Sequence, residues 1–176
     1  TRAGYTGEDG FEISLPRGQA EAIVRRLLSD PTVAPIGLGA RNTLRLECKM
    51  ALYGHEIDAS INPFEADLAW IVKMDKGDFV GRNALGAVAL AGVKRKLVGF
   101  EMTGRGIGRD GYEVHIGGTA AGWVTSGGPA PTLNKNIGLC YLPVDKAVSG
   151  QKIEVIIRNQ PVEAVTVPTP FYKRAK

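Results

Sequence analysis

With 176 residues, 44% hydrophobic and 23% charged, the sequence has the composition of one globular domain or two small ones. It contains no run of 18 apolar residues, which excludes a membrane-spanning helix, and no signal or transit sequence is visible. The formal charge of +4 is uneven: residues 1–90 hold 10 basic and 12 acidic side chains and residues 91–176 hold 12 and 6, so the second half suits an anionic ligand or partner.

Two cysteines, Cys48 and Cys140, lie in apolar stretches and read as buried free thiols, while His55 and His115 stand alone. No metal-ligand spacing results. The sequence begins at Thr1 rather than Met and enters a glycine-rich motif at once, so residues are expected upstream of it.

In chain order, Phe11-Glu12-Ile13-Ser14-Leu15 alternates apolar and polar residues before Pro16 and predicts a strand. Residues 18–29 place Ala20, Ile23, Val24, Leu27 and Leu28 at helical spacing, with Pro31 closing the segment. A second helix is predicted from near Gly39 through Glu47. The apolar stretch Leu68-Ala69-Trp70-Ile71-Val72 predicts a buried strand, and residues 80–90 a short helix ending at Gly92. From Lys94 the texture changes to short strands between glycine turns: 96–102, 112–116, 119–125, 137–142, 153–158 and 162–167. The last two are expected to join through Asn159-Gln160-Pro161. Evenly spaced strands of this kind indicate a small antiparallel barrel or sandwich. The fold class is therefore α+β, with residues 1–90 forming an α+β region and residues 91–176 a β-barrel domain.

Gly106-Ile107-Gly108-Arg109-Asp110-Gly111 fits the dinucleotide fingerprint G-x-G-x-x-G. That fingerprint works only when a helix follows, because the helix N-terminus holds the pyrophosphate. Here Tyr112-Glu113-Val114-His115-Ile116 alternates like a strand, so a hairpin turn is expected instead.

Three stretches carry candidate chemistry. In Gly4-Tyr5-Thr6-Gly7-Glu8-Asp9-Gly10-Phe11-Glu12-Ile13, three glycines make a tight turn that presents Glu12 on the face opposite Phe11 and Ile13. In Gly37-Leu38-Gly39-Ala40-Arg41-Asn42-Thr43-Leu44-Arg45-Leu46-Glu47, Arg41 sits in the first turn of a helix. A cation there opposes the helix dipole, which points to a ligand or ion-pair role. Arg45, four residues on, could pair with Glu47 or with a neighbouring segment. In Leu52-Tyr53-Gly54-His55-Glu56-Ile57-Asp58, His55 has no Ser or Cys nucleophile at a recognisable spacing and reads as a hydrogen-bonding loop residue.

These three motifs, together with Arg95-Lys96-Leu97-Val98-Gly99-Phe100, Val124-Thr125-Ser126-Gly127-Gly128 and Pro170-Phe171-Tyr172, resemble the glycine cleavage T-protein family over nearly the whole sequence. The resemblance implies an aminomethyltransferase. It would take the aminomethyl group from the lipoyl arm of the H-protein, pass its methylene to tetrahydrofolate as co-substrate, and release ammonia, with no metal. It implies folate-site roles for Glu12 and Arg41, and Tyr172 is the nearest match to the family's C-terminal tyrosine. An ionised carboxylate such as Glu12 can accept both donors of a pterin edge, and Arg41 can donate to its carbonyl or to the glutamate tail. The family's catalytic aspartate lies upstream of the Gly4–Gly10 motif, so no catalytic residue is assigned within these residues. Implied partners are the lipoylated H-protein and the missing N-terminal part of the same chain, with neither nucleic acid nor membrane. The implied location is bacterial cytoplasm, or the mitochondrial matrix in a eukaryote.

Two departures stand out: Asn42 replaces the more usual Asp, and Cys48-Lys49 the more usual Ala-Gly. Dimethylglycine and sarcosine dehydrogenases and folate-dependent demethylases share the architecture, and a non-catalytic folate-fold module is a further alternative.

Overall fold

A computed structural model describes residues 1–174. Along the chain run α1 (Ala20–Leu28), α2 (Leu38–Glu47), α3 (Arg82–Ala91), then β1 (Arg95–Met102), β2 (Glu113–Ile116), β3 (Thr119–Ala130), β4 (Lys135–Pro143), β5 (Lys152–Ile157) and β6 (Gln160–Val167). The strands close into an antiparallel barrel of order β1-β4-β3-β2-β5-β6, the α+β class and β-barrel expected from the sequence. No helix among the described residues is long and apolar enough to cross a membrane.

Side-chain alternation builds two cores. Phe100, Met102, Val114, Val124, Cys140, Leu142, Ile153 and Val155 fill the barrel, while Leu97, Ile137, Leu139 and Tyr141 form a second cluster with Leu46 of α2. Strand β4 therefore buries both faces, and its sequence reads as a continuous apolar run for that reason. Leu97, whose neighbours Val98 and Phe100 belong to the barrel interior, has its backbone N–H on the carbonyl of Glu65, and this ties the preceding loop to β1.

The 106–111 glycines serve the barrel. A Cβ at Gly106 would lie 2.7 Å from Ile157 Cδ1, and one at Gly108 would lie 3.0 Å from Phe100 Cζ. The segment packs against the barrel core, and β2 rather than a helix follows; β1 and β2 do not pair, so it crosses between non-neighbouring strands instead of turning the expected hairpin.

Three further expectations are corrected. Residues 11–15 form no strand. The flanking backbone hydrogen bonds with Thr1 stop at Glu12, and a segment without a longer ladder is not a strand. The predicted buried strand at 68–72 is a 3₁₀ turn, Ala69–Ile71, with Trp70 71% exposed, so its apolar run marks a surface rather than an interior. The β5–β6 connection lies one residue earlier than expected: Ile157 pairs with Gln160, and Arg158 and Asn159 form the two-residue turn with φ of 51° and 64°. Two consecutive left-handed residues match the twist of a two-residue hairpin.

Candidate functional site

The glycine motif forms a closed loop whose ends meet. The Thr1 nitrogen donates to the Glu12 carbonyl and the Glu12 N–H donates to the Thr1 carbonyl, each at 2.9 Å. Gly7 has φ +77°, and a Cβ there would sit 2.2 Å from Cys48 Sγ, so only glycine lets the loop close on the end of α2. From this loop the Tyr5 hydroxyl donates to the carbonyls of Ala51 and, at 3.3 Å, Met50. The Arg41 guanidinium lies 4.5 Å from the centre of the Tyr5 ring. A cation–π contact of this kind contributes about 0.5–1 kcal/mol at an exposed site. Burial, aided by the Glu56 carboxylate, raises the Tyr5 phenol above its ordinary range against the pull of Arg45 and Arg41, so the hydroxyl remains a donor.

One helical turn after Arg41, Arg45 is buried. Its Nη1 donates to Glu56 Oε2 at 2.8 Å and to the Met50 carbonyl at 3.2 Å, its Nη2 to Ser126 Oγ at 2.7 Å, and its Nε to Asn42 Oδ1 at 2.9 Å. Arg45 thus joins α2, the 50–56 loop and barrel strand β3. Glu56 is also buried, and its second oxygen, Oε2, additionally accepts the Leu52 N–H at 2.9 Å; Oε1 has no partner among the described residues. Tyr141 of β4 donates to the Glu56 carbonyl at 2.8 Å. Buried Glu47 accepts the Thr132 N–H at 3.2 Å. His55 Nδ1 lies 3.1 Å from the Thr125 carbonyl and 3.3 Å from Asp110 Oδ1. Both are acceptors, so Nδ1 carries the proton and the imidazole joins this loop to the barrel.

Lys49 follows α2 with φ +56°, the left-handed conformation that glycine takes at a helix end most readily. Its ammonium pairs with Asp67, itself at φ +57°, and Lys96 Nζ lies 3.1 Å from the other Asp67 oxygen. Burial works to raise the Asp67 carboxyl, but the two lysines outweigh it and hold the carboxyl below its usual range. Lys49 and Asp67 line a cavity of about 500 Å³ with Cys48, Leu68, Ala69, Trp70, Thr169 and Pro170.

The candidate ligand residues surround the glycine loop without sharing an enclosed space. Glu12 and Arg41 are exposed, and neither lines the cavities found around the barrel or beside Cys48. Tyr172 is half-buried, and its hydroxyl donates to Glu8 Oε1 at 3.1 Å.

Residues 1–76 match the family described as the GCVT N-terminal domain, and residues 95–173 match the glycine cleavage T-protein C-terminal barrel domain. The chain belongs to the glycine cleavage T-protein family. It is 52% identical to the aminomethyltransferase of Herpetosiphon aurantiacus, covering 98% of this chain and 48% of that one. It is 55% identical to the aminomethyltransferase of Acidobacterium capsulatum, covering 99% of this chain and 48% of the relative. The crystal structure of glycine cleavage system aminomethyltransferase T from Bartonella henselae superposes with a TM-score of 0.94 at 36% identity, over 98% of this chain and 49% of that one. The chain thus spans about half the length of the curated relatives it matches.

The sequence motifs mark Glu12, Arg41 and Tyr172 as candidate ligand residues but not the groups around them. Tyr5 stood inside the quoted motif, and an aromatic residue between two glycines was the available signal for it. Arg45 had two suggested partners. The structure chooses the neighbouring segment, through Glu56, and Glu47 turns to Thr132 instead. The Asn42 departure is accommodated because its amide oxygen accepts from Arg45 Nε.

Proposed function

We propose that this chain supplies the second half of a tetrahydrofolate-dependent aminomethyltransferase. The reaction takes the aminomethyl group from the lipoyl arm of the H-protein, transfers its methylene to tetrahydrofolate and releases ammonia. The observation that carries this reading is the pairing of the closed glycine loop with α2, where the Arg41 guanidinium lies over the Tyr5 ring and Glu12 closes the loop. Glu12 supplies a carboxylate for two donors on a pterin edge. Its backbone is fixed by Thr1, and among the described residues its side chain takes no hydrogen bond or ion pair, so its oxygens are available to a ligand. Arg41, its guanidinium over the Tyr5 ring, supplies donors to a carbonyl or carboxylate. Tyr172, oriented by Glu8, is the third folate-site group.

The region before the barrel, residues 1–90, carries Glu12 and Arg41, and the barrel domain, residues 91–176, carries Tyr172 and buttresses α2 through Ser126 and Thr132. The other wall of the folate cavity and the catalytic aspartate come from the part that the relatives have and this chain does not span. Exposed Phe11, Ile13, Ile36 and Leu38 supply apolar surface for that part to cover. Without it the chain is inactive, because positioning and electrostatic stabilisation both need a closed, dry site. The bacterial relatives support a cytoplasmic location for the enzyme and the H-protein as its partner.

The test is calorimetric titration of tetrahydrofolate into the chain reconstituted with the segment corresponding to the first half of its relatives. Glu12→Gln should weaken binding by about 1–3 kcal/mol, the range for a charged hydrogen bond, with Arg41→Ala comparable. Unchanged affinity in both variants would remove these residues from the folate site.

A further inference from the structure

The tail that follows β6 is anchored before it reaches the glycine loop. Phe171 packs against the cluster formed by Leu46, Leu97 and Tyr141, and β1 makes room for it: a Cβ at Gly99 would lie 2.3 Å from Thr169 Cγ2 and 2.8 Å from the Phe171 ring. The Tyr172 N–H then donates to the Glu47 carbonyl at the end of α2, at 2.8 Å. With its path fixed on both sides, the tail delivers two side chains to the loop. Tyr172 donates to Glu8 Oε1 at 3.1 Å; Arg174 Nε lies 3.3 Å from Glu8 Oε2, and Arg174 Nη1 lies 2.7 Å from Asp9 Oδ2.

The loop has cause to need this. Glu8 and Asp9 are adjacent carboxylates flanked by Gly7 and Gly10, so they repel each other on a backbone with little intrinsic preference for one conformation. The planar fork of arginine can engage two carboxylates at once, whereas a lysine ammonium is a single point charge. Arg2 also approaches Asp9, but only to 3.7 Å and from within the loop's own N-terminal arm, so it cannot tie the loop to the rest of the fold. Each contact is exposed and weak by itself. They act on a segment that otherwise meets the fold through Tyr5, through the Cys48 thiol on the Thr6 carbonyl and through the close approach of Gly7 to Cys48.

We propose that the C-terminal tail is a strap that sets the conformation of loop 4–10, with Arg174, Glu8 and Asp9 as positioning residues for Tyr5, Arg41 and Glu12. The functional consequence rests on the folate reading above; the strap itself does not. Its closure is electrostatic, so salt loosens it, since at 1 M the Debye length falls to about 3 Å.

Amide hydrogen exchange on the 176-residue chain tests the strap without any ligand. Arg174→Ala should speed exchange in peptides covering residues 4–10 by about threefold to tenfold, the scale of a few exposed charge contacts, and leave β1–β6 unchanged. Arg174→Lys should fall between. Arg174→Asp should behave like Arg174→Ala, and adding Asp9→Arg should restore slow exchange. In the reconstituted enzyme Arg174→Ala should raise KM for tetrahydrofolate severalfold and hold kcat, because the loop must be ordered on binding. Loop exchange indifferent to Arg174→Ala, or no recovery in the charge-swapped pair, overturns the strap. If the loop responds but tetrahydrofolate binds to no variant, wild type included, the strap stands and the folate reading falls.

Discussion

The barrel and the region before it are built on opposite terms. The barrel buries Phe100, Val114, Leu139, Cys140 and Val155 completely, and closure leaves its strands no free edge. In the preceding region α1 and α3 contain no buried residue, and Phe11 is 74% and Leu38 82% exposed. Both regions have amphipathic patterning, so the pattern alone does not distinguish them. The barrel strands cover one another through three hairpins and the closing pairs of β1 with β4 and β6 and of β2 with β5, whereas α1 and the residues around Phe11 leave their apolar side chains uncovered among the described residues. The two meet at α2, through Leu46 and the Arg45 network, and at the loops after it, where Glu56 takes the Tyr141 hydroxyl, Glu65 the Leu97 N–H and Asp67 the Lys96 ammonium; α2 carries Arg41.

This contrast can be broken most forcefully in the barrel core. Phe100→Ala should cost about 3–5 kcal/mol, while Phe11→Ala in the same chain should change stability by less than about 0.5 kcal/mol. Denaturant unfolding of both variants checks the pair, and equal losses would show that Phe11 is packed after all. The junction comes next. Glu56→Ala leaves Arg45 buried beside the Met50 carbonyl and Ser126 with no counter-charge, so a loss of about 3–5 kcal/mol is expected. Replacing both Arg45 and Glu56 by apolar residues should lose much less than Glu56→Ala alone, and a double-mutant cycle reads the difference.

A smaller effect concerns pH. The folded Asp67 carboxyl is held below its ordinary value of 3.8, so its pairing with Lys49 and Lys96 contributes stability that is present above that pH. The contribution is lost as pH falls through the lower folded value. Because Asp67 is partly solvated, the effect is under about 1 kcal/mol. Wild type should exceed Asp67→Asn in stability at pH 7, and the two curves should converge in acid. A constant offset down to pH 2 would assign the difference to something other than ionisation.

Local periodicity made the helices and barrel strands legible, because each carries apolar residues at its own period, whether they are buried as in the barrel or left uncovered among the described residues as in α1. The two failed strands show where that logic stops. Residues 11, 13 and 15 do alternate, and residues 68–72 are apolar, but these patterns report surfaces able to be covered rather than what covers them. For the site, motif order marked Glu12 and Arg41. The ties holding them join residues 45, 11 and 81 positions apart, such as Tyr5 to Met50, Arg45 to Glu56 and Arg45 to Ser126. Pairing across such separations leaves no periodic trace. The Lys49–Asp67 pair was hidden for a related reason: each residue occupies a backbone conformation suited to glycine, and only the fold shows that their side chains meet.

The central claim is that this chain holds one wall of a folate site whose chemistry requires the other. Its most direct test is an assay of aminomethyl transfer from aminomethylated H-protein to tetrahydrofolate, first with the chain alone and then with the segment corresponding to the first half of its relatives added. The account predicts no turnover from the chain alone and activity restored by the addition. Full turnover from the chain alone would contradict it.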